Sequence, residues 1–354
     1  MTDTAPAITL EDIRRAAANL RGVALRTPLL PLDVGEADGA GGGATIWLKA
    51  ESLQPVGSFK LRGAYHAIAS LPAVDRARGV VSYSSGNHAQ GVARAARLLG
   101  IAATIVMPSN APAIKMQRVR ADGAQVVEVG PSGDERHRRA EEIARAEGMP
   151  IVSSHDDAAI VAGQGTAGLE IVEQLAELDG SAGAAPGQAA AGGARPLVVL
   201  VPVGGGGLAA GVAVAVKSLV PDAAVVGVEP ALAADARDSL AQGRIVSWPD
   251  ELTVRTIADG QRLGHIGTIP FELMRRYLDG IVVVEEIEIE RAMARAARDA
   301  RLVLEPSGAT AIAAALFHGP ELPAARRVVC IASGGNADPD DYARLVAEGR
   351  AAGG

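Results

Sequence analysis

Apolar residues recur along this chain in two patterns, stripes at the spacing of a helix face and short continuous runs. Ile13, Ala16, Ala17 and Leu20 share one face behind Thr9, which can cap with Asp12, and Gly22 closes the segment, so a helix is predicted over 9–20. After Thr27-Pro28 and a glycine-rich stretch at 39–43, expected to be a loop tip, the run 44–48 reads as a strand leading into Lys49-Ala50-Glu51. From residue 79 the two patterns alternate. Strands are predicted at 79–83, 102–107 and 125–129, with Ile151-Val152 following, and helices at 88–99, 112–121 and 134–147. Within 88–99, Val92, Ala95, Ala96 and Leu99 make one stripe, and Gly100 can take the left-handed position that ends it.

A second series opens with a helix at 164–178, where Ile171, Val172, Leu175 and Leu178 share a face. Apart from Arg195, residues 180–196 are Ala, Gly, Ser, Pro and Gln with almost nothing to bury, and a flexible surface insertion is expected there. Then come a strand at 197–203, a loop at 204–207, a helix at 208–219, a strand at 224–228, and a last strand at 328–332 running into Ser333-Gly334-Gly335-Asn336. Strand and helix alternation of this kind builds right-handed crossovers and parallel sheets. The fold class is therefore α/β, with two doubly wound, mostly parallel-sheet domains and a ligand in the cleft outside the strand C-termini.

Composition narrows the function. The chain has 354 residues, enough for two interlocked domains, and 48% hydrophobic with 21% charged residues is a folding composition. Lys and Arg number 34 against 41 Asp and Glu, a net −7 with no basic block, so nucleic acid is not an expected partner. The single cysteine, Cys330, lies in an apolar run as core, permits no intrachain disulfide or Cys/His zinc cluster, and suits a reducing compartment. Neither a basic-then-apolar leader nor a run of about 18 apolar residues is present, so a cytoplasmic location without membrane contact is expected.

Gly204-Gly205-Gly206-Gly207 follows an apolar strand and opens a helix, where bare N–H groups and the helix dipole can cradle a phosphate. The plainer account is a tight turn. Gly204-x-Gly206-x-x-Ala209, with Glu229 ending the next strand, also satisfies a permissive dinucleotide pattern, so an NAD-dependent oxidoreductase stays open on this segment alone. Three other segments bear on the choice. In Ser58-Phe59-Lys60-Leu61-Arg62-Gly63-Ala64 a lysine follows an aromatic residue, and apolar surroundings would ease its deprotonation for imine chemistry, although a lone lysine is more simply a solvated one. Ser84-Ser85-Gly86-Asn87-His88 joins a strand to a helix and offers N–H groups and hydroxyls to a carboxylate; a plain turn explains it equally. Ser333 stands at a strand C-terminus.

Taken together and in this order, these segments resemble the fold-type II pyridoxal-phosphate enzymes, specifically the threonine/serine dehydratase and serine racemase family, from about residue 9 to 345. The resemblance implies a tryptophan synthase beta-like fold with pyridoxal 5'-phosphate between a large cofactor-binding domain (1–55 and 157–354) and a small substrate-binding domain (56–156). It implies Lys60 as the Schiff-base lysine with Phe59 against the ring, Asn87 on the cofactor's phenolic oxygen, Gly204, Gly205, Gly206 and Gly207 on the phosphate, and Ser333 on the pyridine nitrogen. A serine there need not keep that nitrogen protonated, which favours β-elimination over transamination.

Ser84, Ser85, Gly86, Asn87 and His88 would hold the carboxylate of a small amino acid. Ser85 resembles the acid/base that some relatives use opposite the lysine for racemisation, yet many dehydratases share the pattern. In the segment 229–235, Glu229, Asp235 and the Ala233 carbonyl resemble the Mg²⁺ or Ca²⁺ site of the racemase branch, an oxygen-only set that suits hard cations; two solvated carboxylates are the simpler account. Glu305 matches a position near the cofactor. The implied activity is an L-threonine/L-serine ammonia-lyase, with serine racemase or 3-hydroxyaspartate dehydratase as the alternative, in a homodimer or higher homo-oligomer. The Ala/Gly-rich end after about 345 leaves no expectation of the regulatory domain of some biosynthetic threonine dehydratases, or of isoleucine feedback. His137 among Arg136, Arg138 and Arg139 reads as a solvated face, His66, His155, His265 and His318 show no ligand spacing, and Met107 and Met116 read as core.

Overall fold

The continuous apolar runs become central strands buried on both faces. The computed structural model describes residues 8–33, 45–111, 113–180 and 195–354. Among these residues the strands are β1 (Leu29–Leu32), β2 (Thr45–Lys49), β3 (Val80–Tyr83), β4 (Ala103–Pro108), β5 (Gln125–Val129), β6 (Val198–Pro202), β7 (Ala224–Pro230), β8 (Gly280–Val284) and β9 (Arg327–Ile331). They form a six-stranded sheet in the order β1-β2-β9-β6-β7-β8 and a three-stranded sheet in the order β3-β4-β5. Every pairing is parallel except that of β1 with β2, and Ile151 adds a parallel bridge to Val81 at the edge of the small sheet. The α/β class with mainly parallel sheets holds.

Alternate residues of the central strands serve opposite faces of the large sheet, as the pleat requires. Val199, Val201, Val329 and Ile331 join the helices Leu10–Asn19, Ala158–Leu178, Gly207–Leu219 and Thr268–Tyr277 in one core. Val198, Leu200, Val328 and Cys330 join the helices Glu286–Arg295 and Pro306–Phe317 in the other. Cys330 is thus a core residue. Thr9 and Asp12 make the expected capping box, while the first helix stops at Asn19, short of Gly22.

The pattern predicted no element between 228 and 328, where β8 and the helices Thr268–Tyr277, Glu286–Arg295 and Pro306–Phe317 stand, and the helix Ala158–Leu178 begins six residues ahead of the predicted 164 because Asp157 caps it by accepting from Ile160 N at 3.0 Å. Its first turns carry glycine where a stripe would carry leucine. A Cβ on Gly163 would lie 2.6 Å from Gly63 Cα, and one on Gly165 would lie 2.8 Å from the Gly211 carbonyl. Helices Lys60–Ser70, Ala158–Leu178 and Gly207–Leu219 therefore meet backbone to backbone. The segments 39–43, residue 44, Pro112 and most of 180–196 lie outside the described residues. No helix among the described residues is long and apolar enough to cross a membrane.

One buried ionic cluster ties these helices to the large sheet. The Arg62 guanidinium donates to Glu51 at 2.7 and 2.8 Å and to Glu170 at 2.7 and 2.8 Å, and Lys49 Nζ donates to Glu170 at 2.6 Å, to Gln174 at 2.8 Å and to the Thr27 carbonyl at 2.7 Å. Two cations face two anions, so the charge closes within the cluster. Arg62 is held fully protonated against its burial by these carboxylates, and burial pulls the Lys49 amine down while the same carboxylates oppose it. Removing one member of such a cluster leaves an uncompensated buried charge, so Arg62→Leu is expected to cost about 3–5 kcal/mol of unfolding free energy. Arg26→Leu, which breaks the exposed pair of Arg26 with Glu177, should cost about 0–1 kcal/mol. Chemical denaturation of the two variants checks the ordering.

Candidate active site

Lys60 owes its position to backbone contacts on three sides. Ser58 forms an antiparallel bridge with Gly334, and Phe59 N donates to the Ser333 carbonyl at 3.1 Å, so the segment before the lysine is stitched to the loop after β9. Lys60 then opens the helix Lys60–Ser70, and helix Asn87–Leu99 approaches so closely that a Cβ on Gly91 would lie 3.1 Å from the Lys60 carbonyl carbon. The Lys60 amine donates to the Ser154 carbonyl at 3.0 Å and lies 5.1 Å from the Phe59 ring centre. Burial pushes the amine down to about 8, with Glu305 opposing, which makes it a nucleophile and base near neutral pH. Ser58 Oγ is fully buried beside it with no hydrogen-bond partner.

The glycine turn lies against His155, the residue after the Ser154 carbonyl that accepts from Lys60. Gly206 has φ +87°, and a Cβ there would come within 2.8 Å of Pro270 Cβ. The N–H groups at this helix start find no backbone acceptor among the described residues, and the helix axis begins at Gly207. The His155 ring lies against Gly205, with its Nδ1 2.8 Å from Ser154 Oγ. Burial, then the nearby Lys60, holds His155 down to about 4, so its imidazole is neutral.

On the other side, Ser84-Ser85-Gly86 ends β3 and opens helix Asn87–Leu99. Gly86 N donates to Ser84 Oγ at 3.3 Å, and Ser85 is exposed. The His88 side chain turns away from this loop into the core, where its Nε2 meets the Val152 carbonyl at 3.2 Å and burial holds it down to about 3. Only its main chain belongs to the loop. Asn87 Nδ2 donates to Glu305 Oε1, and Asn87 Oδ1 accepts from Asn336 Nδ2 at 2.9 Å. Burial and then Asp259 push Glu305 above the usual carboxylate range, while Lys115, paired with Asp259, opposes. Ser333 Oγ donates to the Ser307 carbonyl at 3.2 Å.

Glu229 and Asp235 form a separate buried pair at the end of β7. Glu229 accepts from Ala236 N at 3.0 Å and Arg237 N at 2.8 Å, burial and then Asp235 raise it well above the carboxylate range, and Asp235 is pushed up to about 7 by burial. Asp235 Oδ2 is buried without a partner, and Ala233 is buried between them in sequence. Two solvated carboxylates are therefore not what the structure holds. Among the described residues no three His, Cys, Asp or Glu side chains converge, so a third protein ligand would have to be a carbonyl. With its oxygens turned onto the helix Asp235–Gln242, Glu229 is not presented to the glycine turn as a ribose ligand, which removes the structural basis of the dinucleotide reading.

Residues 20–334 match the family described as pyridoxal-phosphate dependent enzyme. The chain belongs to that family. It is 41% identical over 346 residues to an L-threonine ammonia-lyase of Thermotoga maritima, covering 97% of this chain and 79% of the relative. An L-threo-3-hydroxyaspartate ammonia-lyase of a Pseudomonas species is 37% identical over 95% of this chain and 97% of its own. The structure of maize serine racemase superposes with a TM-score of 0.84 at 32% identity, over 98% of this chain and 99% of that one. This pyridoxal-phosphate enzyme thus has the tryptophan synthase beta-like fold, and the residues present fit the cofactor: a depressed lysine amine, an orphaned serine hydroxyl beside it, and an open row of N–H groups at a helix start.

His155, Lys115 and Arg118 stand beside the candidate site without having carried a sequence signal of their own, and Asn336, read only as the end of the segment 333–336, joins them across the fold. Gly206→Ala puts a side chain at positive φ against Pro270, a penalty of about 1–2 kcal/mol before the clash. Cofactor affinity, read by fluorescence titration of apoprotein, should fall about tenfold or more, and an unchanged affinity would remove the turn from the site.

Proposed function

We propose that the protein is a pyridoxal-phosphate-dependent ammonia-lyase that converts L-threonine and L-serine to a 2-oxo acid and ammonia. The observation that carries this reading is Lys60, whose buried amine is pushed down to about 8 and donates to the Ser154 carbonyl, next to the His155 ring that lies against Gly205 of the glycine turn. The similarity to the Thermotoga enzyme over 97% of the chain supports the choice of substrate. The small sheet would belong to a substrate-binding domain of 56–156 and the large sheet to a cofactor-binding domain of 1–55 and 157–354, in a cytoplasmic homodimer or higher homo-oligomer.

In this reading Lys60 would hold the cofactor through its amine, Phe59 would bear on the ring, and the N–H groups of Gly204, Gly205, Gly206 and Gly207 would hold the phosphate. Asn87 would serve the phenolic oxygen and Ser333 the pyridine nitrogen. The cofactor, when bound, supplies the electron sink for carbanion chemistry. The substrate carboxylate sits on the loop Ser84-Ser85-Gly86-Asn87-His88, at the positive end of helix Asn87–Leu99. As a free amine Lys60 would take the Cα proton and return it to the departing Cβ hydroxyl, which leaves as water, and hydrolysis of the released enamine would give the 2-oxo acid and ammonia. Burial keeps His88 and His155 neutral and weakly basic, which leaves Lys60 the stronger base.

A second reading, racemisation of serine or elimination from 3-hydroxyaspartate, draws on the exposed Ser85 hydroxyl and on Glu229 and Asp235, which with the Ala233 carbonyl would bind Mg²⁺ or Ca²⁺. Ammonia and 2-oxo acid release from L-threonine, L-serine, D-serine and 3-hydroxyaspartate, with serine enantiomers resolved, separates the two. The first reading expects threonine and serine to lead, with Lys60→Ala inactive and unable to be fixed to the cofactor by borohydride; a Lys60→Ala protein that still turns over refutes it.

A raised carboxylate pKa makes folding less favourable as pH climbs from the ordinary carboxylate range through the folded value, here about 7 for Asp235, and a bound cation cancels that loss. Mg²⁺ or Ca²⁺ should therefore raise the melting temperature more above about pH 7 than below it, an effect abolished in Glu229→Gln.

A further inference from the structure

Asn87 sits in a chain of polar groups whose two ends admit only one arrangement. At one end, Arg118 on the helix Ala113–Ala121 donates to Asn336 Oδ1, and a guanidinium has donors only. At the other contact of the same side chain, Asn336 Nδ2 donates to the Val56 carbonyl at 2.8 Å, and a carbonyl can only accept. The Asn336 amide is thus fixed in one of its two flips. Its second N–H then points at Asn87 Oδ1, 2.9 Å away. That contact fixes the Asn87 amide in turn, with its oxygen toward Asn336 and its nitrogen toward Glu305.

An amide nitrogen carries two hydrogens, and Glu305 takes one. The other N–H of Asn87 has no acceptor among the described residues. Reversing the Asn336 amide would set donor against donor at Arg118 and oxygen against oxygen at Val56, and reversing Asn87 alone would set nitrogen against nitrogen at Asn336 and oxygen against oxygen at Glu305; Asn336 is only 5% exposed, so water cannot repair the mismatch. The backbone also seats Asn336: Gly57 has φ +72°, and a Cβ there would lie 3.0 Å from Asn336 Nδ2.

We infer that Asn336, oriented by Arg118, is a positioning residue that turns the Asn87 amide so that its free N–H, and not its oxygen, meets the phenolic oxygen of the cofactor. The inference rests on the assignment of Asn87 to that oxygen. Arg118 lies beside the small sheet and Asn336 beyond the last strand of the large one, so the orientation of Asn87 is set jointly by both halves of the molecule.

The absorption bands of bound cofactor report the proton shared between its phenolic oxygen and the imine nitrogen. A hydrogen bond to that oxygen shifts the balance of the long- and short-wavelength bands, whereas general loosening lowers occupancy and melting temperature without changing the spectrum of the occupied fraction. Holoenzyme spectra across pH, cofactor affinity and melting temperature are to be compared for Asn87→Ala, Asn336→Asp, Arg118→Met and Arg118→Lys. Asn336→Asp keeps an acceptor for Arg118 and loses both donors. It should move the band ratio toward that of Asn87→Ala and weaken cofactor binding about tenfold. Arg118→Met should move the ratio part of the way, and Arg118→Lys, which keeps a donor, should restore it. If Asn87→Ala leaves the band ratio unchanged, the assignment of Asn87 itself is wrong. If Asn87→Ala shifts the ratio and neither Asn336→Asp nor Arg118→Met does, the positioning role is overturned. Should Asn336→Asp not fold, the Arg118 pair decides by the same criterion.

Discussion

The buried contact of Arg62 with Glu51 and Glu170 is the constraint on which the site depends. Arg62 stands two residues after Lys60 on the same helix, and its guanidinium is locked to a carboxylate beside β2 and to another on the helix Ala158–Leu178. A forked, planar donor fixed at both carboxylates leaves that helix neither free rotation nor free translation. The reactive amine is therefore aimed by a charge cluster on the far side of its own helix turn. Lys49 completes the balance, which is why two full cations can persist where no water reaches.

The site itself is electrically divided. Around Lys60 the neighbours are neutral imidazoles and a carbonyl, so nothing there supplies a fixed positive charge to compete with its proton chemistry. Around Asn87 the groups are charged and mutually compensating: Glu305, Lys115, Asp259 and, through an amide, Arg118. Glu229 and Asp235 repeat the theme elsewhere with no cation of their own, and there the mismatch appears as raised proton affinity.

Much of this was legible in the sequence where one element carried the signal. The strands β2 to β7 and β9, the glycine turn after β6 and the loop Ser84-Ser85-Gly86-Asn87-His88 are local patterns and fall within two residues of where the pattern puts them, whereas β1 and β8 were not read from it. The early turns of the helix Ala158–Leu178 were not legible, because glycines seat it against Gly63 and Gly211 in place of an apolar stripe. His88 was misplaced in part: residue type suggested a substrate contact, and helix phase turned the ring into the core. Lys115 and Arg118 gave no signal at all, and Asn336 none beyond its place after Ser333-Gly334-Gly335, since contacts across 144 and 218 positions leave no spacing to read.

The glycine contacts among the three helices also bear on how this enzyme can vary. Where two main chains touch, their separation is fixed by peptide geometry and not by whichever rotamer fills a gap. The path from the Lys60 helix through Gly63 and Gly163, and on through Gly165 to Gly211 in the helix Gly207–Leu219, is a ruler made of backbone. Leucine can give way to methionine in the surrounding cores with little effect on the spacing of these helices, whereas a single methyl group on that path would lengthen the ruler and shift the helix that carries the amine.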